Sequence, residues 1–200
     1  MRPRLYYNEL LSTNVNNKKS VFVITSVLLL SSFMIPINDV FAETTFVDSK
    51  DVDEQENPNG LAFNTDGTKM FVVYNGDYVN EYACSTGFDV STCSYSGDGE
   101  RKDVSSQETT PTDVAFNTDG TKMFVIGNSD DVNEYACSTG FDVSTCNFSG
   151  NDQLKDVSGE ATSPTGLAFN TDGTKMFVIG SSSDDVNEYA CSTGFDVSTC

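Results

Sequence analysis

The hydrophobic positions of this chain fall in short runs that return at a fixed interval. Leu61-Ala62-Phe63, Val114-Ala115-Phe116 and Leu167-Ala168-Phe169 each follow a proline, at Pro58, Pro111 and Pro164. Asn-Thr-Asp-Gly comes next and then Thr-Lys-Met-Phe-Val, so FNTDGTKMFV stands unchanged at Phe63–Val72, Phe116–Val125 and Phe169–Val178. Asn in first place and Gly in fourth suit a type I turn whose glycine takes positive φ, which predicts a tight hairpin between strands A and B. A variable polar segment follows, and then strand C, Val-Asn-Glu-Tyr-Ala-Cys, ends at Cys84, Cys137 and Cys191. The shared ending NEYACSTGFDVSTC occupies Asn80–Cys93, Asn133–Cys146 and Asn187–Cys200. Strand D is expected to run through Tyr95 or Phe148 toward Lys102-Asp103-Val104 or Lys155-Asp156-Val157. No segment keeps a helical period over eleven or more residues.

Four short strands in a unit of 53 or 54 residues, repeated in tandem, predict an all-β chain: a β-propeller-type array of four-stranded antiparallel blades. Strand B supports this. Met176 and Val178 lie on one face and Phe177 and Ile179 on the other, as expected of a sheet packed on both sides, whereas a one-faced sheet alternates more cleanly. A β-solenoid is the competing repeat fold, but its coils are usually shorter. The organisation read from the repeat is a leader at 1–42, an N-terminal D-type closing strand with linker at 43–57, and blades at 58–110, 111–163 and 164–200, the last incomplete. The closing strand is inferred because Lys50-Asp51-Val52 aligns with the KDV of the later repeats.

The pattern PTGLAFNTDGTKMFV, followed by DDVNEY and FDVST, resembles repeats of secreted bacterial and archaeal β-propellers of the YVTN and lactonase-like superfamily. It covers about Thr44–Cys200. The resemblance implies the blade fold but not one function, since such propellers range from sugar-acid lactonases to surface binding modules. Three blades are fewer than the four of the smallest closed propellers. The expected arrangement is a segment of a longer array. The alternative is two copies joined in a six-bladed ring that exchange their N-terminal strands.

Lys18 and Lys19, the apolar run Val21–Met34 and Ala42 before Glu43 read as a secretory signal cleaved after Ala42. The competing reading is a retained anchor, but the run is short of the roughly 20 residues that span a bilayer. Cleavage removes four basic and two acidic residues, leaving 7 basic and 28 acidic, a net charge of −21 over 158 residues. This surface repels nucleic acid and anionic lipid and favours a cationic or cation-bridged partner. It also serves solubility alone. Six cysteines pair by spacing as Cys84/Cys93, Cys137/Cys146 and Cys191/Cys200, which behind a secretion signal reads as disulfides. A zinc site needs four ligands at one point, and the chain has no histidine.

The same lack of histidine removes the usual base of a serine or cysteine nucleophile. Catalysis needs different residues from different blades, yet the long shared segments are identical, so the chain is expected not to be an enzyme and to have no catalytic residue and no cofactor. Glu81, Glu134 and Glu188 are read as partly solvated strand positions. Variation concentrates in the B–C loops, where Asp77, Asp130, Asp131, Asp184 and Asp185 are candidates for a Ca²⁺ rim; the alternative is that Asp simply makes good turns. Asn147-Phe148-Ser149 is a glycosylation sequon. The expected function is a secreted or cell-surface module that binds an unknown ligand through its B–C loop face. The alternatives are a purely structural surface or matrix module and a lactonase-like metal-dependent hydrolase.

Overall fold

A computed structural model describes residues 45–200 apart from Gln55 and Ser183. The expected signal segment lies outside the described residues. Each NTDG forms the expected tight turn: Gly67 N donates to Asn64 O at 3.1 Å, and Gly67, Gly120 and Gly173 have φ of 73°, 71° and 71°. Glycine is required here twice over. A Cβ at Gly67 would stand 2.4 Å from the Phe88 ring, because the STGF loop folds back over the turn and Phe88 N donates to Gly67 O.

The hairpins build three antiparallel sheets. In the first, β1 (Pro58–Phe63), β2 (Lys69–Tyr74) and β3 (Tyr78–Cys84) lie side by side. Both β4 (Cys93–Tyr95) and β5 (Arg101–Asp103) pair with β3. The second repeats this with β6 (Pro111–Phe116), β7 (Lys122–Gly127), β8 (Asp131–Cys137), β9 (Cys146–Phe148) and β10 (Leu154–Asp156). The third holds β11 (Pro164–Phe169), β12 (Lys175–Gly180) and β13 (Val186–Ala190). Strand D is thus two short strands rather than one continuous strand. Gly97 and Gly150, at φ of 103° and 109°, break it and lead into a single 3₁₀ turn. The first strands of the sheets are neighbours, with β6 between β1 and β11.

The residues that would form the N-terminal closing strand are not in a strand. Residues 45–52 are irregular, with Phe46 and Val47 exposed. The segment is anchored instead by Val52, whose carbonyl accepts from the Tyr74 hydroxyl and whose side chain packs on blade 1.

Packing follows one rule. The back face of each blade lies on the front face of the next. Phe71, Val73 and Val79 of blade 1 meet Met123, Val125 and Tyr135 of blade 2, and Phe124, Ile126 and Val132 of blade 2 meet Met176 and Val178 of blade 3. Phe71 and Phe124 are fully buried, each worth about 2–3 kcal/mol. Phe71 enters the Phe116–Phe141 pair at 4.5 and 6.4 Å, and Phe124 enters the Phe169–Phe195 pair at 4.6 and 6.4 Å. The three disulfides join the predicted cysteines within each blade. They fit an oxidising environment. Among the described residues no helix is long and apolar enough to cross a membrane.

Candidate functional site

The B–C loop carboxylates serve the turns they sit in. Asp77, Asp130 and Asp184 take left-handed φ of 68°, 59° and 56°, a region aspartate tolerates better than most residues. Asp130 accepts from Ser163 N at 2.8 Å. Asp131 stands on β8 opposite Asp156, and burial, then the charges of Asp156, Asp130 and Glu108, push its carboxyl above the usual range. Asp184 and Asp185 are exposed. Below the blade 2 loop, Glu108 is buried with its oxygens bound by Thr110 N, Ser129 N and Ser129 Oγ at 2.6–2.9 Å.

Among the described residues, the carboxylates that do converge are Glu81, Glu100 and Asp142, with oxygens within 4.8 Å of one another. Their setting corrects the reading of Glu81 and Glu134 as partly solvated. Both are 3% exposed, because the next blade covers them. Glu81 pairs with Lys69 at 2.7 Å and accepts from Val143 N of blade 2. Glu134 repeats this with Lys122 at 2.8 Å and Val197 N of blade 3. Burial pushes the Glu81 carboxyl up despite its lysine. A cation drawn to this cluster would meet the Lys69 ammonium already there, so the donor set does not fit a divalent metal. Glu188, with no blade over it, is half exposed.

The departure that matters chemically is in the first strand of blade 2. Pro58-Asn59-Gly60-Leu61 and Pro164-Thr165-Gly166-Leu167 flank Pro111-Thr112-Asp113-Val114, so Asp113 stands where both neighbours have glycine. No other residue of these three strands is charged. Gly60 makes room for it, whereas a side chain at Gly166 would meet it only at an ordinary contact distance. A Cβ at Gly60 would fall 2.6 Å from Asp113 Cα, and one at Gly166 would lie 3.9 Å from Asp113 Oδ2. Asp113 Oδ1 accepts from Val114 N at 2.9 Å and Oδ2 from Leu167 N of blade 3 at 2.8 Å. Burial pushes its carboxyl above the usual range, against the lowering effect of those two bonds. Each oxygen keeps a second lone pair, so the group can still take a proton or a ligand hydroxyl.

Asp113 lies in neither the variable loops nor the invariant runs, so the repeat pattern does not single it out. The signal was present as one charge in a segment otherwise apolar or small. Its meaning depends on β1, β6 and β11 meeting side by side. Asn147 of the sequon lies exposed on β9.

No protein-family model matches the chain, and no curated protein matches it in sequence. Among solved structures it is similar to a Bacteroides fragilis protein assigned as a 6-phosphogluconolactonase, with a TM-score of 0.49 and 14% identity over 67% of this chain and 35% of that one. A Bacteroides uniformis protein with the same assignment gives 0.49 and 12% over 72% and 38%. The periplasmic gluconolactonase of Pseudomonas aeruginosa gives 0.48 and 17% over 72% and 37%. The chain therefore spans little more than a third of these proteins, and at such identities the likeness concerns the fold alone. The expectation of a non-enzyme finds no support in these neighbours, which are described as lactonases. The symmetry argument weighed only the identical segments, and Asp113 breaks the identity among the three neighbouring first strands.

Proposed function

We propose that the chain carries a lactonase-like hydrolase site centred on Asp113, acting outside the cytoplasm, where its disulfides persist. The observation that supports this is the single carboxylate among three adjacent first strands, with burial raising its pKa toward the range where a carboxylate works as a base. In this reading the Asp113 carboxylate takes a proton from a water as the water oxygen attacks the carbonyl carbon of a cyclic ester. The ring C–O bond breaks, and the proton passes to the departing alkoxide. Val114 N and Leu167 N hold the carboxylate in place.

A second reading has its own observation. The bond from Leu167 N ties blade 2 to blade 3, so Asp113 also fits a purely structural keystone. Hydrolysis of a panel of sugar-acid lactones, followed by pH-stat for the full chain and for the Asp113→Asn and Asp113→Gly variants, separates the two. The hydrolase reading expects turnover that falls at least 100-fold in both variants while each stays folded, a loss in the range of a removed general base. Glycine is a fair replacement because Gly60 and Gly166 occupy the same place in the sibling strands. Absence of turnover in the parent chain, with only the melting temperature moved by the substitutions, supports the keystone.

A further inference from the structure

Asn147-Phe148-Ser149 stands apart from the Asp113 site, and its order is that of the acceptor triplet for an N-linked sugar. It is the single such triplet in the chain. Blade 1 has Ser94-Tyr95-Ser96 in the same place, so Asn147 is the departure that completes the triplet in blade 2. Its first two residues lie on β9 and Ser149 follows directly.

The two ends of the triplet are placed in opposite ways. Asn147 is exposed, and its cross-strand partner is the small, exposed Ala136, so a sugar there meets no bulky side chain from the opposite strand. The Asn147 amide nitrogen donates to Thr145 O at 3.3 Å. That bond uses one of its two hydrogens, and attachment of a sugar replaces the other. Ser149 is locked in: its N donates to Glu134 O at 2.9 Å, and its Oγ is closed off from solvent with no hydrogen-bond partner among the described residues. Ser96 Oγ is in the same state in blade 1, so this burial belongs to the blade. Yet the hydroxyl is the part of the triplet that a transferase must read, since only Ser or Thr serves in third place. The Cys137–Cys146 bridge also ties the residue before Asn147 to β8.

We propose that Asn147 carries an N-linked oligosaccharide, attached before blade 2 closes, while the Ser149 hydroxyl is still accessible. The donor class is a lipid-linked oligosaccharyl phosphate. The Asn147 nitrogen forms a bond to the anomeric carbon, and the bond from that carbon to the phosphate oxygen breaks. Its electron pair leaves with the lipid phosphate, and one amide proton passes to a base of the transferase. When the blade then folds, the hydroxyl goes inside and the modified nitrogen stays outside. The three disulfides support passage through an oxidising compartment. Strand β9 pairs with β8 alone and lies at the opposite edge of the sheet from β6. The sugar therefore projects away from Asp113 and covers an open strand edge, the part of a sheet most prone to pair with other chains.

The test is peptide mapping by mass spectrometry of the full chain, secreted from a cell that attaches N-linked sugars, before and after treatment with a glycan-cleaving amidase. The expected result is an oligosaccharide on the peptide that contains Asn147, removed by the amidase. Asn147→Ser, which copies Ser94 of blade 1, should lose the added mass and still form its disulfides. Ser149→Ala keeps the asparagine but removes the hydroxyl, and should lose the sugar as well; it serves if the first variant is not secreted. In cell-free transfer from a lipid-linked oligosaccharide, the reduced, unfolded chain should be modified and the folded, disulfide-closed chain should not. A secreted, disulfide-closed parent with a bare Asn147 overturns the proposal, as does added mass that persists in Asn147→Ser. Equal transfer to the folded and unfolded chains overturns the order of attachment before folding.

Discussion

The Lys69–Glu81 pair shows how one side chain's worth depends on what covers it. Its carboxylate is 3% exposed and the pair spans 2.7 Å, while the sequence-identical Lys175–Glu188 pair spans the same distance with both partners about half exposed. Removing one partner of a buried pair leaves an uncompensated charge, at a cost of about 3 kcal/mol or more, whereas an exposed pair is worth under about 1 kcal/mol. Lys69→Met should therefore lower unfolding stability by about 3 kcal/mol in urea melts. Lys175→Met should lower it by less than about 1 kcal/mol.

Asp113 gives the residue-scale prediction with a pH signature. Burial raises its folded pKa. Its contribution is therefore most favourable below the unfolded pKa of about 4, and is lost as pH rises through the raised folded value. Asp66, Asp119 and Asp172 run the other way, held below the usual range by their Thr68, Thr121 and Thr174 partners. They stabilise above the unfolded pKa and lose that contribution as pH falls through their folded values. Asp113→Asn removes only the first trend. The melting temperature of Asp113→Asn minus that of the parent should grow from about pH 4 to neutrality, and a difference independent of pH would show that Asp113 carries no buried charge.

At the scale of elements, blade 3 has the same second strand as blade 2 and the same VNEYAC run in its third, but a different environment. Strand β13 pairs only with β12, whereas β3 and β8 each have partners on both sides. Local opening follows the amount of burial and of paired backbone. Amide hydrogen exchange should therefore be fastest in β12 and β13 and slowest in β2, β3, β7 and β8. Much of this level was legible in the sequence. The hairpin turns, the strands flanking them and the cysteine pairs rest on contacts a few residues apart, which composition and spacing report directly. The split of strand D was not read, because its cause is a positive-φ glycine inside what looked like one polar connection.

Across the whole molecule, the three repeats are alike in sequence and unlike in state, since what differs between them is which faces are covered. What the sequence determined alone was most of the blade: its first three strands, its turns, its disulfides and its packing on both faces. Those follow from local sterics and from a period of two, and they survive repetition. Only the tertiary structure decided that Glu81 is buried while Glu188 is not, and that Asp113 lies between two glycines with its oxygens shared by two blades. Each of those facts depends on residues about fifty positions apart meeting across an interface, and spacing along a chain carries no record of which repeats finally touch.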